Sequence, residues 1–207
     1  MFKLRFYFSK SDEVKYVGHL DMIEVFDRAF RRARLPISFS EGFNPRPKLS
    51  FAHPLAVGIS SNGEIGEVEL TERLEAEDFI NRLNTALPIP IRILNAEYTD
   101  EKKSLMSLVK AADYTIQIDE EFVSADDVEN MLNKSSIEIE KTSKSGKTNI
   151  VDIKPLIIGW EWIRKENKEF RVELATGSND NLRPDTIVKL FGEVEKYKII
   201  REKIYIN

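Results

Sequence analysis

A switch of hydrophobic period is what most narrows the fold open to this chain. Phe2, Leu4, Phe6 and Phe8 alternate with Lys3, Arg5 and Tyr7, the spacing of a half-buried strand. Over residues 18–34 the apolar positions Leu20, Ile23, Phe26, Phe30 and Ala33 recur at three and four residues, which predicts a helix. Pro36 keeps Leu35 from continuing it comfortably. Strand character returns over residues 49–59, where Pro54 implies an edge or a bulge, and over 64–70 after a turn at Gly63. A second helix is expected over 74–87, stopped by Pro88 and Pro90, before a strand at 91–98. The order β-α-β-β-α-β is the split βαβ plan of a ferredoxin-like domain.

The order then repeats. Strands are expected at 114–118, 137–141, 150–153, 156–163, 170–174 and 198–206, with helices at 125–132 and 184–191. TSKSGKT, residues 142–148, reads as a polar, basic hairpin tip; its GKT lacks the upstream glycine of a phosphate-binding loop. Trp160 and Trp162, two apart on one strand face, are expected in the core or against a helix. The expected fold is therefore α+β: two ferredoxin-like halves with antiparallel sheets, at 1–99 and 112–207, joined by a linker at 100–111. GSNDNLRP at 177–184 echoes GFNPRP at 42–47, which suits a degenerate duplication.

The 207 residues include no cysteine, so this chain supplies no disulfide, thiol nucleophile or thiolate ligand for zinc or an iron–sulfur cluster. Two histidines, His19 and His53, are too few for a multi-histidine metal centre, and no metal site is expected. No apolar run reaches the ~20 residues of a membrane span, and the charged, alternating N-terminus is unlike a signal peptide. A cytoplasmic protein without membrane contact is the expectation. Net charge is −4, which argues against general affinity for nucleic acid and leaves room for a local basic groove.

Such a groove is indicated between Arg28 and Lys48. Arg28, Arg31 and Arg32 share one helical face, with Arg34 just beyond, and FSEGFNPRPKLSF adds Arg46 and Lys48 against a single acid, Glu41. Guanidinium groups bind phosphate oxygens bidentately; a charge run at a helix end also simply complements the helix dipole. Gly42 can adopt positive φ, Asn44 can bridge backbone groups, and Pro45 and Pro47 restrict the chain on either side of Arg46. Phe43 is expected as a hydrophobic anchor, with base stacking the alternative. Asn181 and Arg183 precede a helix whose amides can receive an anion, and supply a second wall if the halves face each other. His19, in GHLD, is a candidate general acid/base at a helix start, where a structural role is the commoner one. His53 is expected as a strand or bulge residue.

These residues also carry a resemblance. YVGHLDMIEVFDRAFRRARLPISFSEGFNPRPKLSFAHPLAVGI, with VDIKPLI and GSNDNLRPDTIVKLFG further on, resembles the bacterial radical-SAM-linked protein family. The resemblance implies a radical-SAM partner, fused or separate, and supplies no established activity. With no cysteine here, the iron–sulfur cluster and S-adenosylmethionine would belong to that partner. In plan the first half is also similar to ferredoxin-like CRISPR repeat-processing proteins, which bind RNA. The expected function is a non-catalytic RNA-binding accessory protein, presenting ribosomal or transfer RNA to the partner for modification or processing. The alternatives are a metal-independent RNA-cleaving enzyme using His19 and a protein-interaction scaffold.

Overall fold

The computed structural model describes all residues except 143–145, 147, 178 and 179. The chain divides into two units, one of Met1–Val109 with Arg201–Asn207, the other Lys110–Ile200. The last seven residues, expected with the second domain, thus belong to the first unit. The expected linker carries a short helix whose Leu105 and Leu108 are buried.

The first unit runs β1 (Phe2–Lys10), α1 (His19–Arg32), β2 (Leu49–Phe51), β3 (Ser60–Leu70), α2 (Ala76–Ala86), β4 (Ile91–Tyr98) and α3 (Leu105–Leu108). Strand β1 lies between β4 and β3, and β2 pairs with β3, all antiparallel. Phe6, Phe8, Phe26, Phe51 and Phe79 are buried and in mutual ring contact, Phe6 lying 5.4 Å from Phe26 and 5.9 Å from Phe79. Burying each such side chain contributes about 1.5–3 kcal/mol, and this cluster fixes α1 and α2 on β1.

Helix α1 ends two residues before the expected boundary. Arg34 takes a left-handed φ of 51°, and the amide of Leu35 donates to the carbonyl of Phe30 while that of Arg34 donates to Arg31. That is a Schellman stop, completed here by a non-glycine residue and the buried Leu35.

Two expectations for the strands change. The strand expected over 49–59 closes at Phe51, three residues before Pro54, which has no amide to give a ladder. Gly63 makes no turn: β3 runs through it, and a Cβ there would stand 2.3 Å from the carbonyl oxygen of Glu202. Its missing side chain admits a neighbouring backbone.

The second unit runs β5 (Val109–Ile118), α4 (Ala125–Leu132), a hairpin of β6 (Glu138–Thr142) and β7 (Thr148–Asp152), then β8 (Ile157–Arg164), β9 (Glu169–Ala175), α5 (Pro184–Lys189) and β10 (Tyr197–Ile206). Strand β10 contributes Tyr197–Ile200 to this unit and Arg201–Ile206 to the first. The main strand order is β10-β5-β9-β8, with β6 and β7 pairing only with each other. A capping box between Ser124 and Asp127 starts α4. Trp160 and Trp162 are half-buried, stacked edge-on at 5.5 Å over buried Phe170. The expected basic hairpin tip lies largely outside the described residues, as does part of GSNDNLRP. Among the described residues no helix is long and apolar enough to cross a membrane. The whole is a mixed α+β fold with mostly antiparallel strands.

Gly66 is the tightest constraint in the first core. It pairs with Phe6 across β1 and β3, and a Cβ at that position would sit 2.3 Å from the Phe6 ring. Gly66→Ala is expected to cost about 1–3 kcal/mol through overpacking, measured by urea unfolding. An unchanged midpoint would mean that the ring has room to move.

Candidate functional site

Helix α1 carries a different candidate site at each end. At its C-terminal end, the loop after the helix is a closed hairpin rather than an open connection. Phe39 bridges Pro47, the amide of Ser40 donates to the carbonyl of Arg46 at 2.8 Å, and the amide of Arg46 donates to Ser40 Oγ at 3.0 Å. The amide of Lys48 closes the stem on Ser38 at 2.9 Å. Gly42 turns the tip with φ 117°. Phe43, expected as an anchor, is instead fully exposed.

The candidate cations differ in their commitments. Arg28 is exposed and 3.8 Å from Glu24, while Arg31 bonds Asp27 at 2.9 Å and lies 4.6 Å over the Phe39 ring at the hairpin base. Arg32 donates to the carbonyl of Ala86 at 2.7 Å, finishing α2. Arg82, which the sequence reading passed over, returns the favour from α2, donating to the carbonyls of Ala33 and Arg34 at the end of α1. Lys48 pairs with Glu69 at 3.0 Å. The Arg46 side chain is exposed and has no protein partner among the described residues, and Asn44, expected to bridge the backbone, is exposed and makes no such bond. The hairpin thus brings Arg31, Phe43 and Arg46 onto one element pair, while Arg32 reaches the end of α2 and Lys48 reaches Glu69 on β3.

In the second unit Asn181 and Arg183 are exposed, and Arg183 bonds Asp185 in the first turn of α5 at 2.9 Å. They line a groove between α5 and the β6–β7 hairpin together with Lys134, Lys141 and Lys189.

At the N-terminal end of α1 both histidines of the chain line one pocket, with Lys10, Glu64, Phe51 and Leu55 among its walls. His19 opens the helix and touches Phe51 edge-on at 5.7 Å. His53 reaches the same pocket because β2 has already ended. Beneath them Arg201 is 1% exposed; it bonds both carboxylate oxygens of Glu64 and the carbonyl of His53, the last at 3.0 Å. Lys10, also buried, donates to the carbonyls of Lys15 and Val17 at 3.1 and 2.8 Å, pinning the turn that leads into α1. Burial pushes the Lys10 ammonium below its ordinary range, with Glu64 opposing and Arg201 adding. Burial likewise lowers the His53 imidazole, with Arg201 adding and Glu64 opposing. Among the described residues no group of histidines and carboxylates is arranged to hold a metal ion.

A family model matches residues 3–184, nearly the whole chain, under the description "uncharacterized protein conserved in bacteria". The chain belongs to the DUF2344 family. No curated protein matches this family member in sequence. Among solved structures it is similar to one described as a crystal structure of a Cbf5–Nop10–Gar1 complex, at 12% identity and a TM-score of 0.50. That match covers 96% of this chain and 49% of the other, so the chain spans about half the length of the structure it resembles, and the likeness is one of fold. A second, described as an unknown protein from Galdieria sulphuraria, aligns over 99% and 98% of the two chains at 12% identity, with a TM-score of 0.30, too low to indicate a shared fold.

The His53 environment has a consequence for stability. Its folded-state pKa lies below 6.5, so as pH falls through that value the unfolded chain takes up a proton that the folded chain resists. Stability therefore declines with falling pH in this window and levels off once the folded imidazole is also protonated. His53→Gln is expected to flatten that part of the curve, read by urea unfolding between about pH 5 and 7.5. An unaltered slope in the variant would assign the effect to another group.

Proposed function

We propose that this protein is a non-catalytic RNA-binding accessory of a radical-SAM protein, gripping its RNA with the 39–47 hairpin and the adjoining end of α1. The observation that carries the reading is Phe43, wholly exposed on a hydrogen-bonded hairpin that also carries the exposed Arg46. An exposed ring and a guanidinium carried on one hairpin are the equipment that stacks on a base and holds its phosphate. A rigid stem lowers the ordering cost of that contact.

The radical-SAM link is supported by the GFNPRPK and NLRP segments. Lacking cysteine, this chain would leave the iron–sulfur cluster and S-adenosylmethionine to its cytoplasmic partner. The RNA would be ribosomal or transfer RNA. We also propose that the halves are ferredoxin-like copies of one ancestor. What supports this is that β4-β1-β3-β2 in the first unit and β10-β5-β9-β8 in the second follow the same β-α-β-β-α-β plan, once the β6–β7 hairpin is set aside as an insertion.

Filter binding of structured RNA across a salt series tests the site. Phe43→Ala is expected to weaken binding about 5- to 150-fold, the equivalent of about 1–3 kcal/mol for one stacked base, without changing the salt slope. Arg46→Ala should instead reduce that slope by about 1. Affinity and slope unchanged in both variants would remove the hairpin from RNA binding. A partner protein retained after nuclease treatment, and lost in the same variants, would favour a scaffold.

A further inference from the structure

We propose that the groove between β6 and α5 receives an extended segment of a partner protein, added as a further strand along β6. Its apolar side chains would lie on the groove floor, with carboxylates at its ends. Strand β6 pairs with β7 alone, so its other edge has no neighbour among the described strands. All five residues of β6 line the groove, while β7 gives only Val151. Successive side chains of a strand point to opposite faces, so it is the unpaired edge that looks toward α5. The register shows which groups that edge offers. The amide of Ile153 donates to the carbonyl of Ile137 at 2.8 Å, and the pairs Ile139–Val151 and Lys141–Asn149 follow at two-residue steps. Alternation then turns the amides and carbonyls of Glu138, Glu140 and Thr142 outward. No backbone group of a described residue bonds them.

The groove has room for a strand. Its volume is about 910 Å³, and five residues of strand are about 17 Å long. Buried Ile137, Ile153 and Leu182 line it, as do Ile139, Val151 and Leu156, so one set of alternate side chains on an added strand meets an apolar floor. The walls are anchored. The amide of Leu182 donates to the carbonyl of Ala175 at 2.9 Å, that of Ile137 to Asp152 at 2.8 Å, and Lys154 to the carbonyl of Leu132 at 2.6 Å.

Charge selects the segment. Lys134 stands before β6 and Lys141 near its end; both line the groove, are exposed and have no side-chain partner among the described residues. Arg183 and Lys189, at the start and end of α5, share the one carboxylate of Asp185. The acids lining the groove are Glu138 and Glu140, on the opposite face of β6 from Ile139. They disfavour acids in the middle of an added strand and leave its ends to the lysines. Main-chain bonds along β6 would supply affinity, and the floor and lysines specificity, as in other cases of strand addition.

Two nonapeptides, DDVTVTVDD and KKVTVTVKK, test this when titrated into the full chain, with amide shifts and hydrogen exchange followed by NMR. The acid-ended peptide is expected to saturate below about 1 mM and to bind about tenfold more tightly than the base-ended one. Its binding should slow exchange at the amides of Glu138, Glu140 and Thr142, and leave those of Ile139 and Lys141, already bonded to β7, unaltered. Glu140→Pro removes one outward amide without breaking the β7 ladder and should weaken binding at least about fivefold. Lys134→Glu combined with Lys141→Glu should reverse the preference between the peptides, whether or not the proline variant folds. No protection of the three amides by either peptide, or undiminished binding in both variants, would overturn the proposal. So would protection that appears as the protein alone is concentrated, which gives the edge to a second copy, or shifts with structured RNA and neither peptide. The readout lies on residues 138–142, so its failure leaves the 39–47 hairpin to be judged by filter binding.

Discussion

A guanidinium with almost no access to water sets the terms for the first unit. Arg201 must place both arms on Glu64, 137 residues earlier, and still reach the carbonyl of His53. Taking both charges out of water costs several kcal/mol per ion, so the pair is weak evidence for stability and stronger evidence for register. Strand β10 has one alignment against β3 in which that guanidinium is satisfied. Gly63, passing under the Glu202 carbonyl, belongs to the same alignment. The floor of the histidine pocket therefore depends on the final residues of the chain.

Helix α1 is the other organising element. Its 14 residues separate the imidazole end from the arginine end by about 21 Å. Its apolar face is locked by the phenylalanine cluster, and its C-terminal carbonyls are closed by Arg82 while Arg32 closes those of α2. That exchange explains why an arginine-rich helix end need not be a binding surface at every arginine.

Local pattern accounts for much of the fold. The period switch located β1, α1, α2 and β4 to within a few residues, because each buries one face against the same core. It missed what is decided between distant segments. Arg201 sits in a strand of alternating polar and apolar residues, where a basic residue reads as solvent-facing. Gly63 reads as a turn until the strand beside it is known. His53 was expected within a strand or at a bulge, and its meeting with His19 depends on β2 ending instead at Phe51. In the hairpin, the prolines and Gly42 marked an unusual loop, while composition does not reveal the exposure of Phe43 or the Phe39–Pro47 bridge.

That bridge bears on how the protein keeps to itself. A hairpin pushed into solvent with a bare phenylalanine at its tip would ordinarily invite strand addition by a second molecule. Pro45 and Pro47 have no amide hydrogens, and the amides of Ser40, Arg46 and Lys48 are already used within the stem. A neighbouring chain seeking a ladder meets carbonyls with too few donors between them, the way natural sheet edges resist aggregation. The hairpin can expose its ring without becoming a seed for fibres.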